Sequence, residues 1–300
     1  MRLKRYLLLI LVPLAMRSQN EHTIDSGDST LHFRTFGTGK PLLIINGGPG
    51  MNSEGFSGIA AELSKLGYQA ITYDQRGTGQ SIVPKIDETR ITMDLMASDM
   101  ENLRKHLKIE KWSLLGHSFG GIMAAYYAAK YPTAIDKIIF SSSGGIDMDF
   151  TTYIGSTVRA NLTKTQRDSL DYYQSKRESG DLSIETLKNR ARFLANAYVY
   201  DKSKAPTIAA RLIQINFDVN RLVINNLHKI GYDCAKSFSH FKQPVLVLQG
   251  KNDIIKIRTA QAIARAFPNS KLVLMDRCAH YGWLDVPKIY MDTVKSFLNS

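Results

Sequence analysis

The stretch Leu114-Leu115-Gly116-His117-Ser118-Phe119-Gly120-Gly121 constrains this chain more than any other. An apolar strand over 112–115 runs into a tight turn and then into a helix over about 119–130. Gly116, Ser118 and Gly120 fit G-x-S-x-G, a turn that holds a serine in a strained conformation at the tip of a strand. Glycines two residues to either side let neighbouring backbone come close enough for that turn to form. The new helix brings unpaired N–H groups and the positive end of its dipole, so the N–H of Phe119 is expected to meet an oxyanion on any substrate attacked by Ser118. The same pattern also arises by chance, with His117 then a plain turn residue. Its weight comes from the strand-turn-helix context.

The rest of the chain supplies a sheet to hold that turn. Continuous apolar runs at 41–45, 69–73, 137–141, 244–249 and 271–275 read as strands covered on both faces, and 30–36 as an early edge strand. Helices are expected at 53–66, 92–107, 256–267 and 286–298, the second marked by Leu95, Met100, Leu103 and Leu107. Alternation of strand and helix implies an α/β fold with a mostly parallel sheet flanked by helices. From 148 to about 241 the pattern turns helical, with helices at 161–180, 183–200 and 206–230. An insertion of that size suits a lid that gates a site and shapes substrate choice. The expected division is therefore a core over 19–145 and 242–300 and a helical cap over 146–241.

Asn46-Gly47-Gly48-Pro49-Gly50 ends one of the parallel strands. Its N–H groups are unobstructed by side chains, as the second donor of an oxyanion hole requires, and Gly47 and Gly48 are the candidates. A glycine-rich turn without a task is the alternative. A dinucleotide fingerprint does not fit, because the spacing is not G-x-G-x-x-G. Asp74 and Arg76 are read as braces for the loop Asp74-Gln75-Arg76-Gly77-Thr78-Gly79-Gln80-Ser81.

Ser118, Asp253 and His280 share one property: each follows the carboxyl end of an expected parallel strand, where open α/β sheets place their ligand sites. They come in the order nucleophile, acid, histidine. Serine needs a base to take its proton, His280 can do so near neutral pH, and Asp253 would hold the imidazole tautomer and stabilise the imidazolium. Separately, Asp253 could be a turn residue and His280 a loop histidine. Together they point to a triad. His22, His32, His106, His117, His228 and His240 follow no strand end in this way and are read as structural or surface residues.

Residues 1–18 resemble a signal peptide, with Arg2, Lys4 and Arg5 ahead of an apolar run over 6–16 and a polar Ser-Gln-Asn after it. Cleavage near Ser18 would make the protein secreted or periplasmic, with no stable membrane insertion afterwards; an uncleaved segment would act as a membrane anchor. Removing it lowers the formal charge from +12 to +8. The remaining Lys and Arg are scattered without interleaved aromatics, which speaks against nucleic-acid binding. Cys234 and Cys278 do not make a disulfide framework and are read as two inert thiols, although an exported protein could pair them. No cysteine-histidine spacing suggests zinc, and no metal or other cofactor is expected. The expected partner is a small-molecule or short peptide substrate.

On these residues the chain resembles the α/β-hydrolase superfamily over nearly its whole length after residue 18. Within it, the chain is similar to prolyl aminopeptidases, also called proline iminopeptidases. The shared marks are G-G-P-G at 47–50, D-Q-R-G-x-G-x-S at 74–81 and the nucleophile turn at 116–121. The resemblance implies the triad Ser118, Asp253 and His280, an oxyanion hole from the 47–48 loop and Phe119, a helical cap after the sixth strand, and release of N-terminal proline or a similar residue from peptides. A carboxylic ester or lactone is the alternative substrate, and a non-catalytic binding protein on the same fold a further one. The family usually has histidine where this chain has Asn46, and often tryptophan where it has Phe119. Typical members hold the substrate amine with cap glutamates; the acids of this cap include Asp168, Asp171, Glu178, Asp181, Glu185, Asp201 and Asp218, and none sits in a matching motif.

Overall fold

The apolar runs become strands of one sheet in a computed structural model that describes residues 20–300. The expected signal peptide lies outside the described residues. Eight strands are present: β1 (Asn20–Ser26), β2 (Ser29–Phe36), β3 (Lys40–Ile45), β4 (Tyr68–Tyr73), β5 (Trp112–His117), β6 (Ile135–Ser141), β7 (Val245–Gly250) and β8 (Ser270–Met275). Their order across the sheet is β1-β2-β4-β3-β5-β6-β7-β8, antiparallel from β1 to β4 and parallel from there on. The expected edge strand at 30–36 is not at the edge. β1 covers it in antiparallel register, with Ile24 opposite Leu31. Only Ile24 and Ser26 of β1 are buried, so a mostly polar strand escaped a search for apolar runs.

Residues along β3 alternate between two cores. Leu43 and Ile45 face one side with Leu114, Phe140 and Val247, while Leu42 and Ile44 face the other with Leu115, Ile139 and Leu248. Burial of each such side chain stabilises the fold by about 1.5–3 kcal/mol. The first side is covered by α2 (Met93–His106) and α3 (Phe119–Lys130), the second by α1 (Ser57–Ser64). In α2 the Thr92 side chain caps the N-terminus by accepting from Leu95 N–H, and Arg104, Lys105 and His106 fill the last turn, where cations suit the dipole.

Between β6 and β7 lie five helices: α4 (Ile154–Ala160), α5 (Lys164–Glu178), α6 (Ile184–Ala195), α7 (Ala205–Leu212) and α8 (Phe217–Lys229). The single helix expected at 206–230 is two. The first ends at Leu212; Asn216 then takes an extended conformation, and its side chain caps the second by accepting from the N–H groups of Asp218 and Val219. After β7 come α9 (Ile257–Ala266), the short α10 (Gly282–Asp285) and α11 (Pro287–Leu298). Among the described residues no helix is long and apolar enough to cross a membrane.

Candidate active site

Ser118 sits between β5 and α3 with φ 55° and ψ −119°, a region that non-glycine residues rarely occupy. The surrounding backbone holds it there. Ser118 N–H donates to Ser141 O at 3.1 Å, and Ser118 O accepts from Gly121 and Gly144 N–H, each at 3.0 Å. A Cβ on Gly116 would stand 2.4 Å from Gly120 O, and one on Gly120 would stand 2.0 Å from Ile45 O, so both positions exclude a side chain.

His280 follows β8 and is almost wholly buried. Its Nδ1 lies 2.8 Å from Asp253 Oδ1, which also accepts from Ile255 N–H at 3.0 Å, while Gln249 Nε2 donates to Asp253 Oδ2 at 2.8 Å. With Nδ1 bound to the carboxylate, Nε2 is the nitrogen left to exchange a proton. Ser118 and His280 line the same cavity, so the structure brings the serine to the histidine–aspartate pair. No direct hydrogen bond joins Ser118 Oγ to the imidazole among those the described residues make.

Gly47, Gly48 and Phe119 line that cavity too. A Cβ on Gly47 would stand 2.8 Å from Ser118 Cβ, so the loop passes directly beside the serine. Asn46, where the resembling family has histidine, braces this loop: its Nδ2 donates to Gly47 O at 3.2 Å and Met51 O at 2.9 Å, and its carbonyl accepts from Gln75 Nε2 at 2.9 Å. Phe119 opens α3, so its N–H has no carbonyl one turn earlier to bind. Asp74 and Arg76 behave as braces. Asp74 accepts from Ser53 and Gln80, and Arg76 pairs with the buried Asp99 and with Asp28.

The cavity measures about 180 Å³ and its wall is apolar, with Met51, Ile122, Phe150, Ile154, Leu212 and Ile224 prominent. No Asp, Glu, Lys or Arg is among the residues lining it. None of the seven cap acids named above lines it. Asp168 pairs with Lys164, Asp171 with Arg159, Asp181 with Lys176, Asp218 with Arg221 and Asp201 with Lys204; Glu178 lies by Arg177, and Glu185 is exposed.

Three residues near Ser118, His280 and Asp253 carry no signature in the sequence. His117 is fully buried against His280, with ring centroids 4.7 Å apart. Tyr198 turns its ring edge to His280 at 5.3 Å and accepts His280 N–H on its carbonyl at 3.0 Å. Asp285 accepts from Ala279 N–H at 2.8 Å and from Tyr200 and Asp201 N–H at 3.0 Å, tying the segment after α6 to the loop that carries His280. Cys234 and Cys278 are free, buried and unpaired; burial pushes the Cys234 thiol up to about 11.

A strained serine at a strand–helix turn, followed in the chain by an acid and a histidine at later strand ends, defines the class. The model of the alpha/beta hydrolase fold family matches residues 40–287, and the chain belongs to that family of hydrolases. Among its relatives is the proline iminopeptidase of Saccharolobus solfataricus, 26% identical over 277 residues, which span 89% of this chain and 87% of that one. Solved structures share the fold. The proline iminopeptidase of Mycobacterium smegmatis superimposes with a TM-score of 0.68 at 21% identity, covering 93% of this chain and 98% of its own. An esterase of Exiguobacterium antarcticum does so with a TM-score of 0.72 at 19% identity, covering 93% and 99%.

Proposed function

We propose that the chain is a serine hydrolase that works through an acyl-enzyme. Ser118 Oγ attacks the carbonyl carbon of a small substrate while His280 Nε2 takes its proton and Asp253 stabilises the resulting imidazolium. The oxyanion is received by the N–H of Phe119 and the N–H groups of the Gly47–Gly48 loop, residues that line the same cavity as Ser118. Collapse of the intermediate breaks the bond to the leaving amine or alkoxide, which departs with the proton from His280. Water, deprotonated by the same imidazole, then attacks the ester on Ser118 and releases the acid. The observation that supports this reading most is the 2.8 Å His280–Asp253 bond at the edge of a cavity that the strained Ser118 also lines.

Release of an N-terminal proline or a similarly compact residue is the substrate reading that the proline iminopeptidase relatives support. A carboxylic ester is the second reading, favoured by a cavity wall that holds no charged side chain. Replacing Ser118→Ala is expected to lower turnover of both a proline anilide and a short-chain ester by roughly a thousandfold or more. Labelling by a fluorophosphonate probe is expected to vanish with it, while the circular dichroism spectrum stays the same. Turnover that survives the substitution would refute the assignment.

A further inference from the structure

A cationic acyl group would find no carboxylate in the lining of the cavity to pair with. Burial keeps the phenols of Tyr198 and Tyr281 in its wall protonated, and Asn220 already donates through Nδ2 to Pro49 O at 2.9 Å. Asp253 stands behind the imidazole, its side chain fully buried and both oxygens occupied by His280, Ile255 and Gln249. Arg211, buried 4.6 Å over the Phe56 ring, acts on Tyr281 and His117, and Arg190 acts on Tyr198, against the one carboxylate of Asp253, which reaches both phenols from behind the imidazole. An ammonium group here would lose its water and gain no carboxylate partner.

We propose that the acyl site excludes cationic groups: it takes alkanoyl and cycloalkanoyl esters or amides and, among aminoacyl substrates, only the fraction whose amine is neutral. This rests on the cavity being the acyl site of a serine hydrolase, and it refines the choice between amide and ester. An α-amine titrates near pH 8, so its neutral fraction falls about tenfold for each pH unit below that. The selection thus becomes a pH-dependent preference that belongs to the substrate.

Prolinamide and cyclopentanecarboxamide have nearly the same shape and differ by an amine in place of a methylene. Their Kd values for the Ser118→Ala protein, measured by calorimetry at pH 6 and pH 9, test the proposal without catalysis. Cyclopentanecarboxamide should bind alike at both values. Prolinamide should come within a few-fold of it at pH 9 and fall behind by roughly a hundredfold at pH 6. Prolinamide binding that is undiminished at pH 6, or failure of the cyclopentane amide to bind at either pH, overturns it. Wild-type hydrolysis of the corresponding methyl esters separates this from the reading it rests on: binding without turnover removes the hydrolase and leaves the selectivity standing, whereas a proline ester cleaved as well as its isostere at pH 6 removes the selectivity alone.

Discussion

His117 shares the nucleophile turn with Ser118 yet packs away from the reaction, between the rings of His280, Tyr281 and Trp283 at 4.7–4.8 Å. Its Nδ1 lies 3.1 Å from Ser141 O, and its Nε2 has no partner among the described residues. Burial, then the neighbouring His280, then Arg211 hold its pKa well below the usual 6.5, so it stays neutral with Nδ1–H donating to Ser141. That neutrality serves the proposed mechanism, because a second cation beside His280 would oppose the imidazolium that forms there. It also links stability to pH. Below about pH 6.5 the unfolded chain takes up a proton on this residue that the native state refuses, so stability falls with pH by up to about 1.4 kcal/mol per unit. His117→Asn removes the effect. Whatever the variant loses at pH 7, urea unfolding should show it regaining ground on the wild type between pH 6.5 and pH 5. A stability difference that stays constant over that range would mean His117 is protonated in the folded protein.

At the scale of elements, Asp285 is the joint between two parts of the proposed site. It ends α10, and its carboxylate gathers N–H groups from Ala279 on one side and from Tyr200 and Asp201 on the other, while Tyr198 O takes the N–H of His280 itself. Asp285→Ala should therefore loosen the histidine and lower kcat about tenfold per active site, counted by fluorophosphonate titration, with less effect on KM. Asp285→Asn keeps one acceptor oxygen and should fall between. Equal kcat in all three proteins would leave Asp285 with a purely structural task. Nothing in the sequence marks this residue, because its importance lies in backbone groups that meet only after folding. The residues of the proposed triad stood out for the opposite reason. Each member follows a strand that announces itself as an apolar run, and the glycines at 116 and 120 report close backbone approaches that no other residue type permits. β1 was not legible, since its side chains are mostly exposed and its evidence is the pairing with β2. Nor was the break at Asn216, where a side chain that could have ridden on a helix surface instead caps one.

Over the whole molecule, the sequence pattern divides core from cap, but the packing interleaves them. Val219, Leu222, Val223 and Leu227 of α8 belong to the same apolar cluster as Leu43 and Ile45 of β3 and Leu114 of β5. Met51 and Tyr281 join Ala191, Ala195 and Ile208 of α6 and α7, and Ile254 and Ile255 join Leu162 and Leu170. Each of these clusters is filled from both sides, and backbone bonds such as Asn216 N–H to Gly50 O and His280 N–H to Tyr198 O reinforce the seam. A helical segment that shares its apolar surface with the sheet has little core of its own to stay folded on, so the two should unfold as one unit. The two tryptophans report from suitable places. Trp112 is fully buried in the sheet core, while Trp283 packs against Phe56, His117 and Tyr281 beside the helical cluster. In urea, Trp112→Phe and Trp283→Phe each leave one fluorophore. Each variant's fluorescence midpoint should coincide with its own midpoint by circular dichroism. If the Trp283 signal changes at clearly lower urea than the helical signal of the same protein, the helical segment comes away first. The cavity would then be bounded by an independently mobile cap instead of by one cooperative fold.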